Sequence, residues 1–384
     1  MKRLLTSVLI VAMLGLTGCG TATDNKAAAS GGKTIKVGLI APLTGDVKTY
    51  GESVKNAFYL ALEQAGNKAG DYTIQVVEAD DHADATEGVN QATKLITQNG
   101  VKAIVGSVTS NVSIPVSELA NQNKVVMITP TSTAAKVTVD DSGKRKPFVF
   151  RAPFIDPFQA QAAAKFAQET LHAKTAAIFY DKGNDYTVGL EENFKKSFEA
   201  AGGKVVAVQS YSKDDKDFSV IATSVAGQKP DMLYLPDYYQ KVSLIANAAK
   251  AAGLNVPMVG ADGWYSSDLD FSALAGGYFT TYFSADDPRP EVQQFVKDYQ
   301  AKYKAQPDGM AALGYDAGKI LIEAIKQANS NDPDKIRQAM QNLKDLPTVG
   351  GKVSFDANGN PVKGATILQV QANKSYKFIG VVNP

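Results

Sequence analysis

Residues 34–65 read TIKVGLIAPLTGDVKTYGESVKNAFYLALEQA, and the reading of this stretch decides the fold. Its first seven residues, TIKVGLI (34–40), are β-branched and aliphatic and predict a strand. After a loop holding proline and glycine, residues 51–65 place Val54, Phe58, Ala61 and Leu62 on one face of a helix. The unit then repeats. Strands are expected at 72–80, 102–107 and 125–130, with helices at 85–98 and 111–122. A repeated βα unit implies a parallel sheet covered on both faces, so the fold class is α/β.

After FVFRAPF (148–154) the rhythm restarts. Helices are expected at 157–170, 186–201, 217–227 and 239–252, alternating with strands at 175–180, 204–211, 232–235 and 257–260. Two βα series of similar length predict two similar, doubly wound lobes. The tail differs. A strand at 277–284 precedes helices near 290–304, 310–328 and 333–343, and hairpin-like strands close the chain at 351–356, 365–371 and 376–382, with DANGN (356–360) as a turn. Helices that late suggest a return to the first lobe. About 350 residues of folded body also exceed one comfortable core and favour two domains.

The N-terminus is of another kind. Lys2 and Arg3 precede an apolar run over 4–16, then Thr17-Gly18-Cys19. A basic head, an apolar stretch too short for an ordinary membrane span and small residues before a cut point predict an export signal over 1–18. LTGC at its end resembles the lipobox of bacterial lipoproteins, which implies that Cys19, the only cysteine of 384 residues, carries a lipid. Residues 19–33, small and polar, then read as a lipidated flexible tether.

Composition excludes several classes. The chain has 40 basic and 39 acidic residues; loss of Lys2 and Arg3 leaves 38 against 39, with no basic stripe for nucleic acid. The two histidines, His82 and His172, lack metal-type spacing, so no metal is expected. Asp80, Asp81, His82 and Asp84 are read as a polar loop in which Asp84 caps the next helix. Gly32-Lys33-Thr34 mimics the end of a phosphate loop, but Ala27 stands where that motif needs glycine. Nothing argues for catalytic residues or for a cofactor.

Binding features are stronger. In open α/β sheets, ligands sit beyond the carboxyl ends of the strands, beside helix N-termini with free N–H groups. Loops 108–111 (VTSN) and 129–133 (TPTST) fall at such ends and suit an anion, ideally a carboxylate. In the second half, 261–265 (ADGWY) puts Asp262 beside Trp264 and Tyr265, a setting for an ammonium group next to an apolar wall. Together they describe one ligand with an anion held by the first lobe and a cation held by the second.

IKVGLIAPLTGDVKTYG, DDHADATEGVNQATKLI, VGSVTSNVSIPVSELA, VVMITPTSTA, FYDKGNDYTVG, LYLPDYYQKVSLIANAAKAAGL, MVGADGW and FDANGNPVKG occur in this order. The ordered set resembles the leucine/isoleucine/valine-binding proteins of ABC importers, of the periplasmic-binding-protein type I family, over essentially the whole chain from residue 34. The resemblance implies a flytrap of two α/β lobes joined by a three-segment hinge near 150–153, 281–284 and 355–359. Lobe 1 would be 34–151 plus 284–356, and lobe 2 would be 152–283 plus 357–384. It implies that Ser110, Thr131 and Thr133 hold an α-carboxylate, and that Asp262 pairs with the α-ammonium. The family commonly has glutamate there, so this charge is set back by one methylene. Tyr50, Tyr186 and Tyr238 match wall positions, with Trp264 as an added wall and Tyr315 undecided. The implied partners are an amino acid, an ABC permease with its ATPase, and the membrane through the lipid, the protein acting as a monomer outside the cytoplasmic membrane. Rival readings are the same fold binding an amide, a urea-like molecule or an aromatic acid, a sensor subunit, and an exported enzyme acting on a small acid.

Overall fold

The structure is a computed structural model and describes residues 33–383. The signal segment 1–18, Cys19 and the tether up to residue 32 lie outside the described residues. The opening stretch folds as its pattern dictates: β1 (Lys33–Ala41) runs straight into α1 (Lys48–Gln64). There follow β2 (Lys68–Ala69), β3 (Tyr72–Asp80), α2 (Ala85–Lys94), β4 (Ala103–Val105), α3 (Ser110–Gln122), β5 (Val126–Thr129) and β6 (Val149–Arg151). These strands form one sheet in the order β2-β3-β1-β4-β5-β6, parallel except for the short β2 against β3. Asp84 caps α2 by accepting from the Glu87 N–H at 2.9 Å, the bland role expected of the acidic loop.

The second sheet is built by α4 (Asp156–Glu169), β7 (Thr175–Asp181), α5 (Asp185–Ala200), β8 (Lys204–Tyr211), α6 (Ser219–Gln228), β9 (Met232–Leu235), α7 (Tyr239–Ala251), β10 (Met258–Gly260), α8 (Phe271–Leu274) and β11 (Tyr278–Thr281). The chain then returns to the first sheet with α9 (Pro290–Tyr303), α10 (Gly309–Ala328) and α11 (Pro333–Gln341). Small residues let α10 lie on α1: a Cβ on Gly314 would stand 2.5 Å from the Val54 carbonyl oxygen. Leu313, Ile320 and Leu321 of α10 are buried with Phe58 and Leu62 of α1 in one apolar cluster. After β12 (Leu346–Thr348) and β13 (Gly351–Val353), β14 (Ala365–Val370) and β15 (Tyr376–Val382) complete the second sheet, ordered β15-β14-β11-β10-β9-β7-β8. β14 runs antiparallel to both neighbours.

Two expectations about the tail are corrected. The strand foreseen at 351–356 is shorter and pairs back with residues 346–348, not with 365–371. The third passage between lobes also lies later than 355–359. DANGN does turn, with the Asp356 N–H on the Asn360 carbonyl at 2.9 Å, but the turn stays on the first lobe. There the Arg151 N–H donates to the Gly359 carbonyl at 3.3 Å, and the Thr138 hydroxyl donates to Asn360 Oδ1 at 3.1 Å. Lys363 is still held there by Asp316 of α10 at 3.2 Å, both side chains being buried. The Asp316 carboxylate also accepts the Val349 and Gly350 N–H groups at 2.8 and 2.9 Å. A buried pair with its other lone pairs satisfied in this way anchors the segment before it crosses.

Candidate functional site

The topology fixes where a site can form. In the first sheet the strand order reverses around β1 and β4, and in the second around β7 and β9. The carboxyl ends of those strands are the crevices that open α/β sheets use for ligands. Loops leaving β1, β4 and β5 on one side, and β7, β9 and β10 on the other, line a single cavity between the lobes. Its lining comprises Tyr50, Val108, Thr109, Ser110, Thr131, Ser132, Thr133, Tyr186, Tyr238, Asp262, Gly263 and Met310. The structure thus brings together seven of the eight residues singled out in the sequence for this site.

Trp264 is the exception. Its indole is fully buried, its Nε1–H donates to the Leu235 carbonyl at 2.9 Å, and its ring lies under Gly260, where a Cβ would meet it at 2.0 Å. The reason is local. Residues 262–264 form a 3₁₀ turn, in which positions two apart point in different directions. Asp262 therefore faces the cavity while Trp264 packs behind it. Tyr315 is also elsewhere, its ring tilted by 44° against Phe295 at 4.9 Å and its hydroxyl bonded to Gln64.

On the second lobe, Asp262 is the centre. Its Oδ1 accepts from Gln159 Nε2 at 2.7 Å and from the Tyr186 hydroxyl at 2.8 Å, and its Oδ2 accepts from the Tyr282 hydroxyl at 3.0 Å. A carboxylate has about four acceptor positions, so one remains on Oδ2. Burial raises the Asp262 carboxyl above its ordinary range, against the lowering effect of the three donors. Gln159 and Tyr282 were not anticipated: one is an ordinary polar residue of α4, the other belongs to the crossing after β11. The Tyr186 ring stacks on Tyr238 at 5.3 Å and 6°.

On the first lobe, the hydroxyls divide by what they have left to give. Each carries one proton. Thr131 already donates its own to the Val108 carbonyl at 2.6 Å, so toward a carboxylate it has no hydroxyl donor free. The Ser110 hydroxyl accepts from the Ala134 N–H at 3.3 Å, which leaves its proton available. Ser110 also opens α3, whose first N–H groups have no partner within the helix. Thr133 lines the cavity beside Asp156, a second buried carboxyl pushed well up by desolvation, and Thr133 is the group that most offsets that rise. Met310, at the start of α10, was missed because nothing in its pattern separates it from a core methionine; Asp308 caps that helix through the Ala311 N–H at 2.8 Å.

The two lobes also touch directly. The Tyr50 hydroxyl donates to the Gly263 carbonyl, and its ring meets Tyr238 and Tyr239 edge-on at 5.9 and 5.2 Å. Thr49 donates to the Tyr239 hydroxyl at 3.1 Å, and Tyr239 to the Asp46 carbonyl at 2.8 Å. Only glycine fits at 51, where a Cβ would lie 2.0 Å from the Pro42 carbonyl oxygen. That close approach sets Tyr50 at the cleft. With the lobes shut, the cavity is about 20 Å³, close to the room one water needs.

With this geometry in view, comparison with known proteins is direct. The model of the family described as periplasmic binding protein matches residues 34–375. The chain belongs to that family. A Leu/Ile/Val-binding protein of Rhizobium johnstonii, BraC3, is 33% identical over 85% of this chain and 88% of that one. Among solved structures, the leucine binding protein LivK of Thermotoga maritima superposes with a TM-score of 0.87 at 34% identity, covering 91% of this chain and 99% of LivK. The branched-chain amino acid transporter substrate binding protein LivJ of Streptococcus pneumoniae, in complex with isoleucine, gives 0.82 at 28% identity over 90% and 99%. The two-lobed periplasmic-binding-protein type I fold expected from the sequence is therefore the fold of this chain.

Removing one partner of a buried charge pair costs about 3–5 kcal/mol, and each 1.4 kcal/mol is tenfold. Asp262→Ala is expected to weaken binding of an α-amino acid by roughly a hundredfold or more by titration calorimetry; unchanged affinity would remove Asp262 from the site. The sign of the pH effect follows. An ammonium pairs with the ionised carboxylate, whose pKa burial raises, so affinity rises as pH climbs through that pKa and levels off above it. Asp262→Asn should abolish that slope.

Proposed function

We propose that this chain captures an α-amino acid of the branched-chain class, leucine, isoleucine or valine, between its lobes and delivers it to an ABC permease. The observation that carries the reading is the two-sided cavity: Ser110 and the N-terminus of α3 on one lobe, the Asp262 carboxylate on the other. The ligand's carboxylate goes to Ser110 and backbone N–H groups, with Thr131 and Thr133 shaping that end. Its ammonium goes to the open acceptor position of Asp262. Tyr50, Tyr186, Tyr238, Val108 and Met310 enclose the side chain.

The mechanism is binding and release, without covalent chemistry. Open and closed lobes interconvert, and a ligand favours closure by the amount that it binds the closed form better. Both charged ends are held at once only when the cleft is shut, so an α-amino acid stabilises that state. An aromatic acid or an amide lacks the cation and would leave Asp262 buried beside a ligand that does not pair with it, which argues against those ligands. Side-chain discrimination is looser, since one methylene in an apolar pocket is worth about 1–3 kcal/mol.

Cys19 as a lipid anchor would hold the protein, as a monomer, at the outer face of the cytoplasmic membrane, where the permease meets it. The basic head, the apolar run and LTGC support this. Among the described residues no helix is long and apolar enough to cross a membrane. Cys19→Ser is expected to move the chain from the membrane fraction to the soluble fraction; retention in the membrane would refute the anchor.

A thermal-shift panel tests the ligand class on the lipid-free body, unfolded and refolded to strip carried ligand. A ligand at a hundred times its dissociation constant adds about 2.7 kcal/mol. Leucine, isoleucine or valine should raise Tm and their keto acids should not. Stabilisation by aromatic acids or amides instead would overturn the role of Asp262.

A further inference from the structure

Asp81 follows β3 directly and is fully buried. β3 lies on one side of β1 and β4 on the other, yet the Asp81 carboxylate reaches across to the loop that leaves β4, where its Oδ2 accepts from the Ser107 hydroxyl. Its Oδ1 accepts the Ala83 N–H at 2.9 Å. His82 and Ala83 both stand in the left-handed region, at φ 51° and 56°, which residues with a Cβ rarely adopt. That turn closes the chain back on Asp81 and fixes its carboxylate. Such a conformation persists where the surroundings hold it, and it clusters at functional sites. Asp80 serves a different loop, the one after β1, accepting the Leu43 N–H at 2.9 Å and the Thr44 hydroxyl at 2.7 Å.

Ser107 passes the constraint on. Giving its proton to Asp81 leaves its oxygen free to accept, and it takes the Val108 N–H at 2.6 Å. The Ser107 carbonyl accepts the Thr129 hydroxyl at 2.7 Å, and the Val108 carbonyl accepts the Thr131 and Ser132 hydroxyls at 2.6 and 3.1 Å. Residues 107 and 108 are thus pinned at once by Asp81 after β3 and by hydroxyls at the end of β5. The cavity lining begins at that point, with Val108, Thr109 and Ser110. We propose that Asp81 is a positioning residue, which through Ser107 holds the loop that presents Ser110 and the N-terminus of α3 to the ligand's carboxylate. This rests on the amino-acid reading above.

The test is Asp81→Asn, which keeps the side chain's size but turns one acceptor into a donor. Dissociation constants for valine and for valinamide, whose carboxylate is replaced by a neutral amide, are measured by calorimetry on the lipid-free protein. The inference expects valine to bind about tenfold more weakly, the worth of one hydrogen bond, and the valine-to-valinamide affinity ratio to fall. Loss of a negative charge, taken alone, would move that ratio the other way. Adding Ser107→Ala should weaken binding by less than the product of the two single losses, because both residues act through one contact. In the ligand-free protein, hydrogen–deuterium exchange over residues 107–113 should quicken in Asp81→Asn. Unchanged valine affinity, equal loss for valine and valinamide, or losses that multiply overturn the inference and leave the amino-acid reading standing. Melting curves check folding. If Asp81→Asn does not fold, Ser107→Ala alone must lower the same ratio, and an unchanged ratio overturns the inference. If the unaltered protein binds no amino acid at all, the proposed function falls; unchanged exchange over 107–113 overturns the positioning role independently of it.

Discussion

A buried carboxylate, Asp262, lines the cavity between the two lobes. Asp262 is 4% exposed and receives three hydrogen bonds, from Gln159, Tyr186 and Tyr282, each placed by a different part of the second lobe and its crossing. Hydrogen bonds from neutral groups reduce the desolvation cost of a buried charge but do not replace a counter-charge. Arg151 is close enough to act on neighbouring Asp156, yet its guanidinium is committed to the carbonyls of Ser132 and Ala134. In the proposed function the counter-charge comes from the ligand's ammonium. The first lobe supplies the complementary half, an N-terminal helix end and the free Ser110 proton. A small molecule carrying both charges is the natural bridge.

The fold brings the two halves of the cavity face to face. Parallel βα units put their loops at one end of each sheet, and the strand-order reversals at β1/β4 and β7/β9 open the two crevices. The return of α9, α10 and α11 to the first lobe delivers Met310 to the cavity, and the Asp316–Lys363 pair secures the chain before it leaves again. Direct contacts such as Tyr50 to Gly263 and Thr49 to Tyr239 show that closure does not rest on ligand alone. Each is a single neutral hydrogen bond, worth about 0.5–1.5 kcal/mol net. A ligand joined to both lobes by charged groups adds to that set and shifts the balance further.

Much of this is legible in the chain because periodicity and loop chemistry are local. The strand at 34–40, the helix over 51–65 and the late helices could be read residue by residue, and the hydroxyl loops and Asp262 stood out by type and position. What escaped depends on direction. Trp264 sits two residues from Asp262, and a 3₁₀ turn sends it into the core rather than the cleft. Gln159, Tyr282 and Met310 are unremarkable in sequence and become site residues only through chain crossings. That Thr131 spends its proton on Val108 while Thr109 keeps its own is a matter of hydrogen-bond partners, which residue identity does not reveal. The third crossing moved because DANGN closes back on the first lobe through Arg151 and Thr138.

The central claim is that a ligand adds to closure only when it presents both of its charges at once. Small-angle X-ray scattering on the stripped, lipid-free protein measures it most directly, with saturating valine, its keto acid lacking the ammonium, and isobutylamine lacking the carboxylate. The account predicts a smaller radius of gyration with valine and none of that contraction with either single-charge analogue. Equal contraction with the keto acid or the amine would show that one lobe's contact suffices, and would contradict the bridge between Ser110 and Asp262.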